Sequence, residues 1–314
     1  MIKFAGSLSA FCLVVVFGQV ALASPSFHAD AGALSGQNSE SNTGASPQTA
    51  DANAQSSIFD GGGNVIGSFT GSGSSSAGKG VLKASGRSTV DISNHQCCLS
   101  NQVYRDSAGH ASFALDDIVI TGPGATVDAI LNLSFTGTLS GAAQHANILG
   151  SAGGHVNVAI NGNVAGQGFS GGAQLDVDSA HPGQTTYSNS GILAGYTGGA
   201  LDVHIAFAAL PVGVPLGMFL DLSVSALATY VVQGTGPDVA PIFADLFGDY
   251  SHSLSFASGG PVFTLDAGYS ADSAQGQIDN NQWVGNVVVP APGALALFAV
   301  GVAALCSLRR RIRI

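Results

Sequence analysis

Alternation of apolar and polar residues is the feature that most constrains how this chain can fold. Across 129–139, Leu131, Leu133 and Phe135 lie on one face while polar residues lie on the other. A period of two is typical of a strand with one buried face. Similar alternation recurs over 155–161, 175–178, 201–207, 219–232 and 249–257. The pattern predicts an all-β protein, an antiparallel β-sandwich or jelly-roll-like body with roughly nine to eleven strands.

Composition supports the same fold class. The chain has three Lys and one Glu, residues that populate exposed helix faces, but 44 Gly. Gly122-Pro123-Gly124-Ala125 separates two predicted strands and indicates a hairpin between them. The Gly- and Ser-rich stretch 71–78 predicts a loop within the domain.

The N-terminus has the pattern of a secretory signal peptide. Lys3 precedes an apolar stretch over 10–20, and Ala21, Ala23 and Ser24 provide small residues at a cleavage site. The apolar stretch is short of the roughly 20 residues that span a bilayer. We predict a signal peptide over 1–23, a disordered spacer over 24–57, because few large apolar residues occur there, and a β-sandwich domain over 58–285.

The C-terminal segment 286–314 combines a Pro-containing turn, an apolar run over 294–308 and a cationic tail over 309–314. As a helix the run is about 22 Å long, slightly short for a bilayer. Arginines hold such a tail in the cytoplasm, so the sequence predicts one transmembrane helix with the body exported. The motif residues are Val289, Pro290, Ala291, Pro292 and Gly293 in the turn, and Arg309, Arg310 and Arg311 in the tail.

This ending resembles the PEP-CTERM sorting signal of Gram-negative bacteria, in which a Pro-x-Pro motif precedes a hydrophobic helix and an Arg-rich tail. Ala291 stands where that family has Glu, which leaves open which exosortase reads the signal and whether it is cut; an unprocessed tail anchor is the alternative. The stretch 254–282 is also similar to the end of the body domain in many such proteins. The resemblance implies processing by signal peptidase and exosortase. It also implies anchoring in the inner membrane, then placement at the cell surface or in an exopolysaccharide matrix.

Charge excludes nucleic acid as a partner. Between the two ends the only basic residues are Lys79, Lys83, Arg87 and Arg105, whereas all 19 acidic residues lie there. Binding to phosphates requires clustered cations, and this chain has the opposite sign.

The sequence shows no recognisable catalytic centre. Gly-x-Ser-x-Gly occurs at 168–172, but the nucleophile elbow of hydrolases needs a strand–turn–helix corner, and a strand is predicted to follow. No two of the eight His residues are spaced i, i+2 or i, i+4, so no metal centre is predicted. Cys97 and Cys98 are adjacent and form a vicinal disulfide, pair between chains or stay as thiols.

Two binding hypotheses follow from single residues. Asp176 and Asp178 share one strand face, which indicates either a structural calcium site or a solvated surface. Trp283, the only Trp, is either a sugar contact or a core residue that closes the last strand. We therefore expect a non-enzymatic exported surface or extracellular-matrix protein without cofactors. The alternatives are a carbohydrate-binding β-sandwich module and, second, an extracellular hydrolase.

Overall fold

The computed structural model describes residues 24–60, 62–92, 102–144, 150–181, 184–232 and 241–285. Within these ranges the chain forms 17 strands and no helix, so the predicted all-β class is confirmed. The first nine strands are β1 (Ser26–Ala33), β2 (Asn38–Gly44), β3 (Gln48–Phe59), β4 (Val65–Gly78), β5 (Val81–Ile92), β6 (Gln102–Thr121), β7 (Thr126–Gln144), β8 (Gly150–Val164) and β9 (Gln167–Asp178). The others are β10 (Thr185–Gly191), β11 (Gly199–Pro211), β12 (Pro215–Val232), β13 (Ile242–Phe256), β14 (Phe263–Leu265), β15 (Ser270–Asp272), β16 (Ile278–Asp279) and β17 (Gln282–Trp283).

The strands form two large antiparallel sheets that pack face to face in a β-sandwich-like arrangement. Sheet I has the order β10-β9-β8-β12-β6-β1-β2, with β15 beside β6. Sheet II has the order β11-β7-β13-β5-β4-β3, with β14 beside β7, and β16 and β17 pair with each other. In the described part of the chain no helix is long and apolar enough to cross a membrane. The predicted signal peptide and the predicted helix over 294–308 lie outside it.

The core lies between the sheets because alternate residues of each strand face inward. Along β5, for example, Leu82 and Val90 are fully buried. Where β7 and β13 face β8 and β9 the core is aromatic: the ring of Phe135 lies 4.9 Å from that of Tyr250 and 5.0 Å from that of Tyr196, between centroids. Each such side chain contributes roughly 1.5–3 kcal/mol to the stability of the fold through burial.

A row of glycines lets the two sheets approach to backbone contact where β4 and β5 face β6. Gly73, Gly86 and Gly248 are cross-strand neighbours in sheet II, and we call them the glycine row. A Cβ on Gly73 would lie 2.0 Å from a backbone carbonyl oxygen of β6, and a Cβ on Gly109 of β6 would lie 2.0 Å from one of β4. These separations exclude side chains, so the sandwich is thinner here than the usual spacing of about 10 Å.

The predicted disordered spacer over 24–57 is wrong, because these residues form β1, β2 and most of β3. Alanines of β1 and β3 pack there as a small buried cluster. Since the sheets are close together, methyl groups fill the layer, and a scarcity of large apolar residues does not mean that a core is missing. The stretch 71–78, expected to be a loop, likewise lies in β4. The cluster consists of Ala29, Ala31, Ala33, Ala50 and Ala52.

Side chains of β2 bind the outer backbone edge of β3, the last strand of sheet II. The amides of Asn38 and Asn42 donate to carbonyl oxygens of β3 at 2.8 and 2.6 Å. The carboxylate of Glu40 accepts the backbone N–H of Asp51 at 2.9 Å, a bond that holds the pKa of Glu40 below its usual range. The single Glu of the chain therefore joins the edges of the two sheets.

The hairpin predicted across 122–125 does not form, because β6 belongs to sheet I and β7 to sheet II. The connection instead carries the chain from one sheet to the other. The C-terminal strands pack beside this crossing, where the buried carboxylate of Asp117 accepts hydrogen bonds from the Ser273 hydroxyl and, at 2.9 Å, from the N–H of Gln275. These bonds satisfy a carboxylate that would otherwise be costly to bury.

We expect Gly109→Ala to lower the free energy of unfolding by about 1–3 kcal/mol, because the new methyl group meets backbone that cannot move aside. Gly32→Ala is the matched control, since nothing lies within 4 Å of a Cβ at this β1 position; its effect should stay within about 0.5 kcal/mol. Urea unfolding followed by circular dichroism measures both values. Equal midpoints for the two variants would show that the sheets are not in backbone contact at Gly109.

Candidate functional site

Two histidines and two aspartates converge on the outer face of sheet I. His28 and Asp30 lie on β1, His110 on β6 and Asp221 on β12. The register places Asp30 opposite His110, and Ser112 of β6 between His28 and Asp221. Because the residues between them on each strand face the core, these side chains point outward. We call His28, Asp30, His110 and Asp221 the His–Asp cluster.

The contacts within the His–Asp cluster centre on one carboxylate oxygen. Asp30 Oδ2 contacts His28 Nε2 directly and lies 3.5 Å from His110 Nδ1. The other ring nitrogen of His110, Nε2, contacts Asp221 Oδ2. One nitrogen or oxygen from each of His28, Asp30 and His110 lies within 4.8 Å of the others, and among the described residues this is the only such group of three or more His, Cys, Asp or Glu side chains.

Hydrogen bonding favours the charged forms of two members of the cluster, His110 and Asp30. The bond to Asp221 raises the pKa of His110, and the charges of Asp221 and Asp30 add to this against the opposing effect of burial. Partial burial acts to raise the pKa of Asp30, but hydrogen bonds from Ser41 and His28 outweigh it and lower the pKa. Side-chain exposure is 39% for Asp30 and 34% for His110, so solvent reaches the centre of the cluster.

The sequence did not predict this cluster. His28 and His110 are far apart in the chain, and their proximity depends on the pairing of β1 with β6. The available signal was His28-Ala29-Asp30, since a strand would place its first and third side chains on one face. That signal lay in the segment interpreted as a spacer, where no strand was expected.

An open groove of about 810 Å³ crosses the outer face of sheet I at another position. Tyr104 of β6, 60% exposed, lies among its lining residues, as do Asp176 and Asp178 of β9. Gly153 of β8 pairs with Thr229 of β12 and with Asp178 of β9, so the groove runs across these neighbouring strands. The groove thus combines an exposed ring with carboxylates. It is also lined by Gly154, His155, Val177, His181, Gln184, Thr186, Leu227 and Thr229.

Asp176 and Asp178 share the outer face of β9, as their spacing indicated. Asp176 accepts a hydrogen bond from the Gln174 amide at 2.6 Å, and Asp178 accepts the N–H of Ala180 at 2.9 Å. His181 Nδ1 lies 3.5 Å from Asp178. In the described ranges no third metal-ligating side chain completes a group around this pair, and the structural calcium site stays a prediction.

The ring of Trp283 packs against the core and is not a free surface on which a sugar could stack. Its ring meets Phe256 edge to face with centroids 6.3 Å apart, and a Cβ on Gly80 would lie 2.8 Å from its Nε1. Gly80 has a φ of +72° in the turn between β4 and β5. Glycine suits this position because it adopts a positive φ without strain and because it has no side chain to meet the ring. This arrangement agrees with the interpretation of Trp283 as a residue that closes the last strand.

The remaining predicted residues bear less on a site. Gly-x-Ser-x-Gly at 168–172 lies within β9, so it has no strand–helix corner. Ser24 is the first described residue and is exposed. The residues that lie outside the described ranges are Ala21, Ala23, Cys97, Cys98, Val289, Pro290, Ala291, Pro292, Gly293, Arg309, Arg310 and Arg311.

No protein-family model, curated protein or solved structure matches this chain. The geometry of its own residues therefore carries the functional argument.

We expect Trp283→Ala to lower the free energy of unfolding by about 2–4 kcal/mol, because it removes a ring packed on Phe256. Tyr104→Ala should change that energy by no more than about 0.5 kcal/mol, since its ring is mostly in solvent. Thermal or urea unfolding of the two variants makes the comparison. A larger loss from Tyr104→Ala would contradict the assignment of Trp283 to the core.

Proposed function

We propose that this chain is a non-enzymatic exported protein, displayed at the cell surface or released into the extracellular matrix. The supporting observation is a folded body that lies between the two predicted sorting signals. Its first described strand, β1, begins at Ser26, after the predicted cleavage site at Ala23 and Ser24. Its last described strand, β17, ends at Trp283, before the motif that starts at Val289. The described strands thus lie within the part of the chain that processing at both ends would leave.

The polar surface of the sandwich supports a passive association with exopolysaccharide. β2 and β10 consist almost entirely of Ser, Thr, Asn and Gly and are largely exposed. Exposed hydroxyl groups of this kind hydrogen-bond to hydrated polymers without a deep cavity. The few positive charges between the two ends also argue against phosphorylated ligands, for which arginine pairs are the usual anchors.

Deletion of 289–314 tests the sorting step. In the native host we expect the deletion to move the protein from the membrane fraction to the periplasm or medium, because it removes the apolar helix and the arginines. Fractionation and the mass of the mature protein report the outcome. A truncated protein that stayed in the membrane would contradict the anchor assignment.

A double variant separates sorting from simple anchoring. Pro290→Ala with Pro292→Ala keeps the apolar run and the arginines but removes the motif. If an exosortase reads the motif, this variant should accumulate uncut in the inner membrane while the wild type is shortened at its C-terminus. An intact C-terminus in both proteins would favour an unprocessed tail anchor.

A second candidate function, sugar binding, is favoured by the groove beside Tyr104. An exposed aromatic ring stacks on the apolar face of a sugar, while carboxylates such as Asp176 and Asp178 accept its hydroxyl hydrogens. The groove therefore replaces Trp283 as the place where a carbohydrate-binding module would hold its ligand.

Binding of the full chain to a glycan array and to the host exopolysaccharide tests this candidate. We expect Tyr104→Ala to weaken binding at least about tenfold, because the stacking ring is lost. Tyr187→Ala is the matched control, since Tyr187 is a 39% exposed aromatic residue of the same sheet outside the groove. Equal binding by wild type and both variants would exclude the groove as the sugar site.

A further inference from the structure

We propose that His28, Asp30 and His110 bind one divalent transition-metal ion of the zinc class on the outer face of sheet I. The ligands are two imidazole nitrogens and one carboxylate oxygen, His28 Nε2, His110 Nδ1 and Asp30 Oδ2. This donor set suits zinc and its neighbours in the first transition row, whereas calcium and magnesium prefer oxygen ligands. The proposal stands independently of how the protein is sorted.

Each histidine ligand has a second hydrogen-bond partner for its other ring nitrogen. His110 Nε2 donates to the Asp221 carboxylate, which in the neutral ring leaves the lone pair on Nδ1 facing Asp30. His28 Nδ1 lies 2.7 Å from the hydroxyl of Thr43, which can fix the lone pair on Nε2 in the same way. Metal-bound histidines generally have such partners for their other nitrogen.

The spacing of the ligand atoms suits a small ion. Two ligands about 2.1 Å from a tetrahedral zinc ion are about 3.4 Å apart. The separation between Asp30 Oδ2 and His110 Nδ1 is 3.5 Å, and all three ligand atoms lie within 4.8 Å of one another. His28 Nε2 contacts the same oxygen directly, so these two atoms move apart when the ion enters between them.

Charge also favours a cation at this position. Asp30 and Asp221 lie on either side of His110, so two carboxylates face this ring. A cation between His110 and Asp30 offsets part of their negative charge. Partial exposure of His28 and Asp30 gives the ion a path of entry and leaves a coordination position for water.

The ion would fasten the N-terminal strand of the body. β1 supplies two ligands and β6 the third, and the supporting partners Thr43 and Asp221 lie on β2 and β12. Through its ligands and their partners, one ion thus links four neighbouring strands of sheet I. The first ligand, His28, lies four residues after Ser24. Its role is structural, and it rests on residues of the strands rather than of connecting loops.

Zinc titration of the full chain tests the site. The protein is extracted in mild detergent through a tag without histidine, stripped with a chelator and titrated with Zn²⁺ by calorimetry. A second titration uses Co²⁺ and visible absorption, which reports nitrogen and oxygen ligands in a tetrahedral field. We expect one ion per chain, a higher thermal unfolding temperature with Zn²⁺, and no displacement of zinc by excess Ca²⁺.

Four variants make the result specific to these residues. Asp221→Asn should weaken zinc binding about 10–100-fold, as loss of a supporting partner does. Asp30→Asn, nearly the same size as the native residue, and His28→Ala should weaken it more and abolish the thermal shift. His204→Ala is the matched control: it removes an exposed histidine from the outer face of sheet II, where its partner is the amide of Asn132 at 2.8 Å. Zinc affinity should be unchanged in that variant.

The same data can overturn the proposal. Absence of zinc binding by the wild type, or equal affinity in wild type and Asp30→Asn, would show that the His–Asp cluster is a hydrogen-bonded network only. Loss of zinc binding on Asp176→Asn with Asp178→Asn, but not on Asp30→Asn, would place the ion at the groove instead. Circular dichroism of each variant without metal checks that the sandwich is intact, so that lost binding is not mistaken for lost folding.

Discussion

The close approach of the two sheets at the glycine row is the constraint on which the rest of the sandwich depends. Where Gly73 and Gly109 face each other across the layer, backbone meets backbone and no side chain fits. That contact sets the distance between β4 and β6 and lets methyl groups fill the neighbouring layer between β1 and β3. Away from this contact, aromatic rings such as those of Phe135 and Tyr250 fill the core.

The backbone contact at Gly109 also explains how the side chains of the His–Asp cluster are held in position. Gly109 faces inward against β4, and the next residue, His110, faces outward beside Asp30. A strand whose inner face rests on backbone has little freedom to shift, because main-chain atoms do not repack as side chains do. The same strand that closes the sandwich inside thus positions a ligand outside, as the geometry of a metal centre demands.

Local pattern in the sequence predicted the strands better than their partners. Alternation over 129–139 correctly indicated β7, and scarcity of Lys and Glu correctly indicated the absence of helix in the described ranges. The spacer over 24–57 was wrong because most of its core residues are alanines, which hydrophobicity alone does not separate from a polar linker. The hairpin over 122–125 was wrong because turn residues do not specify whether a chain returns to the same sheet. His28 and His110 meet only through a register that no local signal contains.

The hydrogen bonds from β2 to β3 have a consequence for crowded surfaces. A bare outer strand invites a neighbouring molecule to add its own strand, which begins fibrillar aggregation. At β3 the carbonyl oxygens of Thr49 and Asn53 and the N–H of Asp51, three groups that such an intruder would use, are already bonded to side chains of β2. Addition of a strand from a second molecule at this part of β3 is therefore disfavoured, and the protection comes from hydrogen bonds rather than from charge.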